Sequence, residues 1–142
     1  PCLSDPGYRI VNAARKSNIE VVSIPGASSI TAALSISGLP SDHFYFEGFL
    51  PKKKGRKTRL EFLSSLDCSI VIFESPNRII KTLNSISEYF GNRAISVCRE
   101  ITKVYEENYF GYIDEVLIRL DELSKVRGEF VLIVSKKGYK ID

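Results

Sequence analysis

Two carboxylates stand where predicted strands give out: Glu74 closes "SIVIFE" and Glu100 closes "AISVCRE". Each has an arginine close by, Arg78 four residues on and Arg99 immediately before. A carboxylate at the carboxyl end of a strand can orient a hydroxyl nucleophile or accept its proton, because α/β folds gather ligands at that rim. If the two strands run parallel, both acids lie on one edge of the sheet. The competing reading is that they pair with Arg78 and Arg99 and orient loops. Glu47 and Glu129 also sit at strand ends. Residues 52–59 hold a second group: Lys52, Lys53, Lys54, Arg56, Lys57 and Arg59, with Gly55 among them and no carboxylate. Such a run is either a solvated loop or a grip on a polyanion, of which RNA is the commonest large one. Three small-residue turns complete the set: Ser4-Asp5-Pro6-Gly7, Pro25-Gly26-Ala27-Ser28-Ser29 and Glu74-Ser75-Pro76-Asn77. Turns of this kind cap helices, and they also bring backbone N–H groups to the strand ends where ligands bind.

Other chemistries are poorly supplied. The single histidine, His43, has no Ser, Cys or Asp constellation and reads as a residue leading into a strand. Cys2, Cys68 and Cys98 lie far apart with no Cys-x-x-Cys pair, so no metal-ligand spacing exists. Cys68 and Cys98 read as small buried apolar residues, which fits a reducing cytoplasm. There is no Gly-x-Gly-x-x-Gly and no Walker lysine motif. No apolar run approaches the roughly 20 residues that span a bilayer. With 44% hydrophobic and 26% charged residues the chain has a folded protein's composition, and its formal net charge of +3 selects no partner class.

The elements that must position these residues alternate. Asp5 is placed to cap a helix with Pro6 in its first turn and Ile10, Val11 and Ala14 on one face. "IEVVSI" (19–24) reads as a strand ended by Pro25-Gly26. Ser28 or Ser29 then caps a helix with Ile30, Ala33 and Leu34 inward, stopped at Gly38. Further strands are expected at 43–49, 69–74, 94–100 and 129–135, with another within "VYEENYFGYI". Between them, "LPKKKGRKTR" reads as a basic loop. Helical spacing marks Leu60, Leu63 and Leu66, then Ile79, Leu83, Ile86 and Phe90, then Ile113, Val116, Leu117 and Leu120. The fold class is α/β: a mixed sheet of about five strands with helices packed on it. Residues 1–41 hold only one predicted strand, which cannot form a sheet alone. They are expected to be the tail of a second α/β domain, with residues 42–142 a complete one.

The motifs "SDPGYRIVNAAR", "VVSIPGASSITAALSISGLP", "FYFEGFLPKK", "IVIFESPNRI", "VCREITKVYEE" and "GEFVLIV" together resemble the ribosomal RNA small subunit methyltransferase I family. That family is a branch of the tetrapyrrole methylase-like superfamily of S-adenosylmethionine-dependent methyltransferases. The resemblance runs from Pro1 to about Ser135. It implies two α/β domains with the cofactor in the cleft between them, and a cytoplasmic homodimer. It also implies 2′-O-methylation of a cytidine in bacterial small-subunit rRNA, with that rRNA or the 30S subunit as partner and neither membrane nor metal. Under it, the present chain is a fragment with part of the cofactor cleft, expected to be inactive alone. Position by position, Pro25, Gly26, Ala27, Ser28 and Ser29 match the turn that meets the cofactor, and Phe73 with Glu74 matches a strand end beside it. Arg99-Glu100 and Glu129-Phe130 match two further cleft segments. Ser4 and Asp5 match a loop on the substrate side. The family more often reads Pro-Gly-Pro-Ser-Ala at 25–29, but Ala27 and Ser29 are small enough for a backbone contact. Glu100, then Glu74, are the candidate proton acceptors. Lys52, Lys53, Lys54, Arg56, Lys57 and Arg78 are the candidate rRNA contacts. Two alternatives stand beside this: methylation of a tetrapyrrole or other small substrate, which the basic loop disfavours, and a non-catalytic substrate-binding or dimerising module.

Overall fold

The computed structural model describes residues 1–123 and 126–142. In chain order the elements are α1 (Tyr8–Lys16), α2 (Ser29–Ile36), β1 (Phe44–Phe49), α3 (Arg56–Ser64), β2 (Ser69–Glu74), α4 (Ile79–Phe90), β3 (Ala94–Arg99), β4 (Glu107–Tyr112), α5 (Ile113–Asp121) and β5 (Phe130–Val134). The five strands form one mixed sheet in the order β1-β2-β5-β3-β4. β1 runs parallel to β2, whereas β5 lies antiparallel between β2 and β3. β4 returns antiparallel on β3 as a hairpin.

The alternation along each strand builds two apolar layers, because successive side chains point to opposite faces. Ile70, Ile72, Ile95, Val97, Leu132 and Val134 face α3, α4 and α5, which contribute Leu60, Leu63, Ile79, Leu83, Ile86, Val116 and Leu120. On the other face Val71, Cys98, Val131 and Ile133 pack against Ile30, Ala33 and Leu39. Both faces are therefore covered, which is why the central strands read as continuous apolar runs. α2 shares its core with the sheet, so the expected division near residue 41 falls between a helix and the strands it packs on.

Five expectations change. Residues 19–24 form no strand, since nothing among the described residues pairs with them: Ile19, Val22 and Ile24 are 61%, 67% and 83% exposed. α1 starts at Tyr8, not at Pro6, with Gly7 as its N-cap and no side-chain cap bond. No residue of α1 is buried, and its apolar face has no partner among the described residues. The basic stretch is only half loop, because α3 begins at Arg56. β3 is followed by a hairpin, so a crossover helix begins after Glu74 but not after Glu100. Cys98 is buried as expected, but Cys68 is only half-buried.

Candidate functional site

The strand order decides where the candidate residues meet. Glu74 of β2 and Arg99 of β3 both pair with Phe130 of β5. Because β5 runs antiparallel to both neighbours, β2 and β3 are parallel to each other. Their carboxyl ends, carrying Glu74 and Glu100, share a rim with the start of β5.

A pocket of about 360 Å³ opens on that rim. Its apolar walls are Leu3, Phe49, Phe73, Ile101 and Phe130, with Ser4, Ser29 and Ser75 adding polar groups. Phe73 sits edge-on to Phe46 and Phe49 at centroid distances of 5.1 and 5.8 Å, so the aromatic wall is stiff. Ser29 and Ile101 also line a neighbouring cleft of about 420 Å³ formed by Gly26, Ala27, Ser28 and Thr102. The two spaces meet along that shared wall. Ser28 is the N-cap of α2, and its side chain accepts no cap bond. The Ala32 N–H is the first to reach back, bonding the Ser28 carbonyl. The amides of Ser29, Ile30 and Thr31 therefore lack helical acceptors and lie at the positive end of the helix dipole.

The front turn reaches this pocket through Gly48. Gly48 lies in a bulge of β1 with φ 73°, and a Cβ there would meet the Ser4 Oγ at 2.6 Å. That close approach lays Leu3 and Ser4 over the end of β1, beside Phe49. Asp5 is exposed and does not line the pocket.

Glu74 is 2% exposed and fully hydrogen-bonded. Its Oε1 accepts the Ser75 N–H at 2.8 Å. Its Oε2 accepts the Thr82 hydroxyl at 2.7 Å and pairs with Arg78 Nη2 at 3.3 Å. Arg78 Nη2 also donates to the Leu50 carbonyl at 2.8 Å. Arg56 donates to the Pro51 carbonyl at 3.1 Å and to the Thr82 Oγ1 at 3.0 Å. Burial first, and the neighbouring Arg78 charge second, push the Arg56 pKa down, while Glu74 opposes them.

Glu100 has a different setting. Its Oε1 accepts the Glu129 N–H at 2.8 Å and Lys103 Nζ at 2.9 Å. The Glu129 amide first, then Lys103, hold its carboxyl below the usual glutamate range. Glu100 and Thr102 take left-handed φ values of 51° and 64°, a strained backbone for residues with side chains. Gly128 is required beside Glu100: a Cβ there would lie 2.6 Å from the Glu100 Cγ. The anticipated pairing therefore holds for Glu74 with Arg78 but not for Glu100 with Arg99. Arg99 pairs with Glu107 at 2.6 Å instead, because the hairpin returns β4 beside it. Neither Glu100 nor Arg99 lines the pocket.

The cations divide as well. Lys52, Lys53 and Lys54 are exposed, and among the described residues their ammonium groups have no hydrogen-bond or ion-pair partner. Lys57 pairs loosely with Glu61 at 3.8 Å. Arg56 turns inward, and Arg59 is bound to Glu47 at 2.6 Å and stacked on Phe62. Sequence reasoning missed Leu3, Phe49 and Ile101 as wall residues. Phe49 carried a signal, an aromatic at the carboxyl end of a strand, while Leu3 and Ile101 carried none. Among the described residues no group of His, Cys, Asp and Glu is placed to hold a metal ion, and no helix is long and apolar enough to cross a membrane.

Comparison with known families settles the lineage, because the tetrapyrrole (corrin/porphyrin) methylase family matches residues 1–117. The chain belongs to this family. Within the tetrapyrrole methylases it is similar to the ribosomal RNA small subunit methyltransferase I of Halalkalibacterium halodurans, with 43% identity over 100% of this chain and 49% of that protein. The chain thus spans about half the length of that relative. The fold resembles the crystal structure of the methyltransferase CobJ, with a TM-score of 0.65 and 17% identity over 95% of this chain and 59% of the other. It also resembles the Thermus thermophilus uroporphyrin-III C-methyltransferase complexed with S-adenosyl homocysteine, with a TM-score of 0.55 and 16% identity over 91% and 58%.

Proposed function

We propose that this chain forms one wall of the cofactor cleft and the RNA grip of an S-adenosylmethionine-dependent methyltransferase. Its substrate is the ribose 2′-hydroxyl of a cytidine in bacterial small-subunit rRNA. The observation that carries this reading is the juxtaposition at one rim: an aromatic pocket runs, through Phe49, Leu50 and Pro51, straight into three unpartnered lysines. The name of the Halalkalibacterium relative supports the rRNA substrate. The cofactor product in the Thermus methyltransferase supports S-adenosylmethionine. The same reading carries the rRNA or small subunit as partner, a homodimer and a cytoplasmic location.

The pocket fits the cofactor in size and character, since small-molecule sites are mostly apolar with a few placed polar groups. When bound, S-adenosylmethionine supplies an electrophilic methyl group. Phe49, Phe73 and Phe130 would hold its apolar part, and the free amides of Ser29–Thr31 its polar part. Lys52, Lys53 and Lys54 hold rRNA phosphates without reading bases, so they set the register of the target. The chain's residues serve alignment, which is the main demand of an in-line methyl displacement. Glu74 lines the pocket with its oxygens bonded to Ser75, Thr82 and Arg78, and Glu100 is a weakened base tied to the loop behind it.

The test incubates the full-length protein with labelled S-adenosylmethionine and small ribosomal subunits, then maps the product nucleotide. A single 2′-O-methylcytidine is expected. Transfer to a tetrapyrrole and not to RNA would overturn the substrate. Cofactor binding with no transfer to RNA would favour a non-catalytic module. Replacing Lys52, Lys53 and Lys54 by Ala should lower the salt slope of rRNA binding by about 2–3. An unaltered slope would reduce the turn to a solvated connection.

A further inference from the structure

We infer that Glu74 is a positioning residue of this reaction: through Arg78 and Arg56 it fixes the base of the Lys52–Lys54 turn against the pocket. The inference rests on the RNA-methylating reading and assigns to that site its internal scaffold. Three facts carry it. Both arginines leave the cluster by donating to consecutive carbonyls, Leu50 and Pro51, and the next residue is Lys52. Both also reach one carboxylate, Arg78 directly at 3.3 Å and Arg56 through the Thr82 hydroxyl, with a further Arg56 bond to the Ser85 Oγ at 3.5 Å. That carboxylate also accepts the N–H of Ser75, which lines the pocket.

The electrostatics explain why an acid is required there. Two guanidinium groups held side by side, half-buried, repel each other and lose hydration. Glu74, buried between β2 and α4, offsets part of that charge and leaves the pair net positive. Without it the cheapest relief is for the arginines to swing out to water. They then release Leu50 and Pro51, and the lysine turn loses its anchor. The partners of both Glu74 oxygens, the Ser75 amide, the Thr82 hydroxyl and Arg78, all belong to this scaffold. Arg78 and Arg56 act in the same way. Arg78 Nη2 and Arg56 Nη1 donate to carbonyls of the turn, and through those two bonds the pair steers the lysines. A steering role of this kind predicts loss of RNA affinity with cofactor affinity retained.

The experiment is a double-mutant cycle in the full-length protein, reading the Kd for unmethylated small ribosomal subunits alongside S-adenosylmethionine binding. The variants are Glu74→Gln, Arg78→Lys, and Lys52, Lys53 and Lys54 together to Ala. Arg78→Lys keeps the charge beside Glu74 but loses the fork that reaches Leu50, and it serves if Glu74→Gln fails to fold. Each single change is expected to weaken subunit binding about tenfold and to raise KM for the subunit more than it lowers kcat. In the triple-alanine background the same changes are expected to have almost no further effect, because the group they position is gone. Additive losses would overturn the inference, as would a fall in kcat with a displaced pH profile, which would make Glu74 a proton-handling group. A wild-type protein that binds no subunits at all would instead overturn the underlying reading of function.

Discussion

Glu74 and Glu100 end two parallel strands on either side of β5, and the same residue type at equivalent places meets opposite fates. Glu74 is followed by a helix, whose first turn supplies Thr82 and Arg78 and closes over it. Glu100 is followed by a hairpin, which leaves it half-buried with Lys103 and a backbone amide as partners. One corner is a desolvated charge cluster and the other a strained loop held by exposed groups. The rim of a sheet thus has no uniform chemistry. The connection leaving each strand, helix or hairpin, decides whether its terminal acid becomes buried scaffold or a half-buried loop tie.

The largest test of this contrast is truncation. Glu74→Ala strands two guanidiniums in a half-buried site, and removing one partner of a buried pair costs about 3–5 kcal/mol. Chemical denaturation of the full-length protein should show that loss, and Glu100→Ala should show a much smaller one. Equal losses would break the comparison. Next comes Gly128→Ala. Its φ of 98° and the 2.6 Å approach to Glu100 predict a cost of about 1–3 kcal/mol. Part of that cost should vanish in the Glu100→Ala background, where the clash is removed. A fully additive pair would show that the backbone conformation alone matters.

The smallest effect is a pH dependence confined to the Glu100 corner. Its folded-state pKa is lowered, so its stabilisation is present above the ordinary glutamate pKa of about 4.3. It is lost as pH falls through the lowered folded value. Hydrogen exchange at the Glu129 amide, corrected for the intrinsic rate, should therefore accelerate on acidification across that window, and Glu100→Gln should remove the dependence. An unchanged response in the Gln variant would assign the titration to another group.

The turn at Gly26–Ser29 and the strand ends at Phe73 and Phe130 were legible because Pro and Gly punctuate the chain and apolar runs mark buried strands. Arg56 and Arg59 were not, since a run of like charges in sequence says nothing about which members turn inward. The hairpin after β3 sent Arg99 to Glu107, a partner that strand periodicity could not reveal. Residues 19–24 show the converse: "IEVVSI" has strand composition, yet without a neighbour to bond its backbone it stays irregular.

Local chemistry in the sequence was sufficient for the kind and approximate bounds of strands β1 to β5, because apolar runs, aromatic alternation and turn residues act within a few neighbours. It was also sufficient for the lysine cluster beside an aromatic strand. Only the tertiary structure decided that β5 inserts between β2 and β3, which brings Phe73, Phe130 and both acids to one rim. It also decided that Glu74 is buried against Arg78, with Arg56 linked to it through Thr82, while Lys52, Lys53 and Lys54 have no side-chain partner among the described residues. Those outcomes depend on packing between residues dozens of positions apart, where burial and charge compensation outweigh any preference written in the local chain.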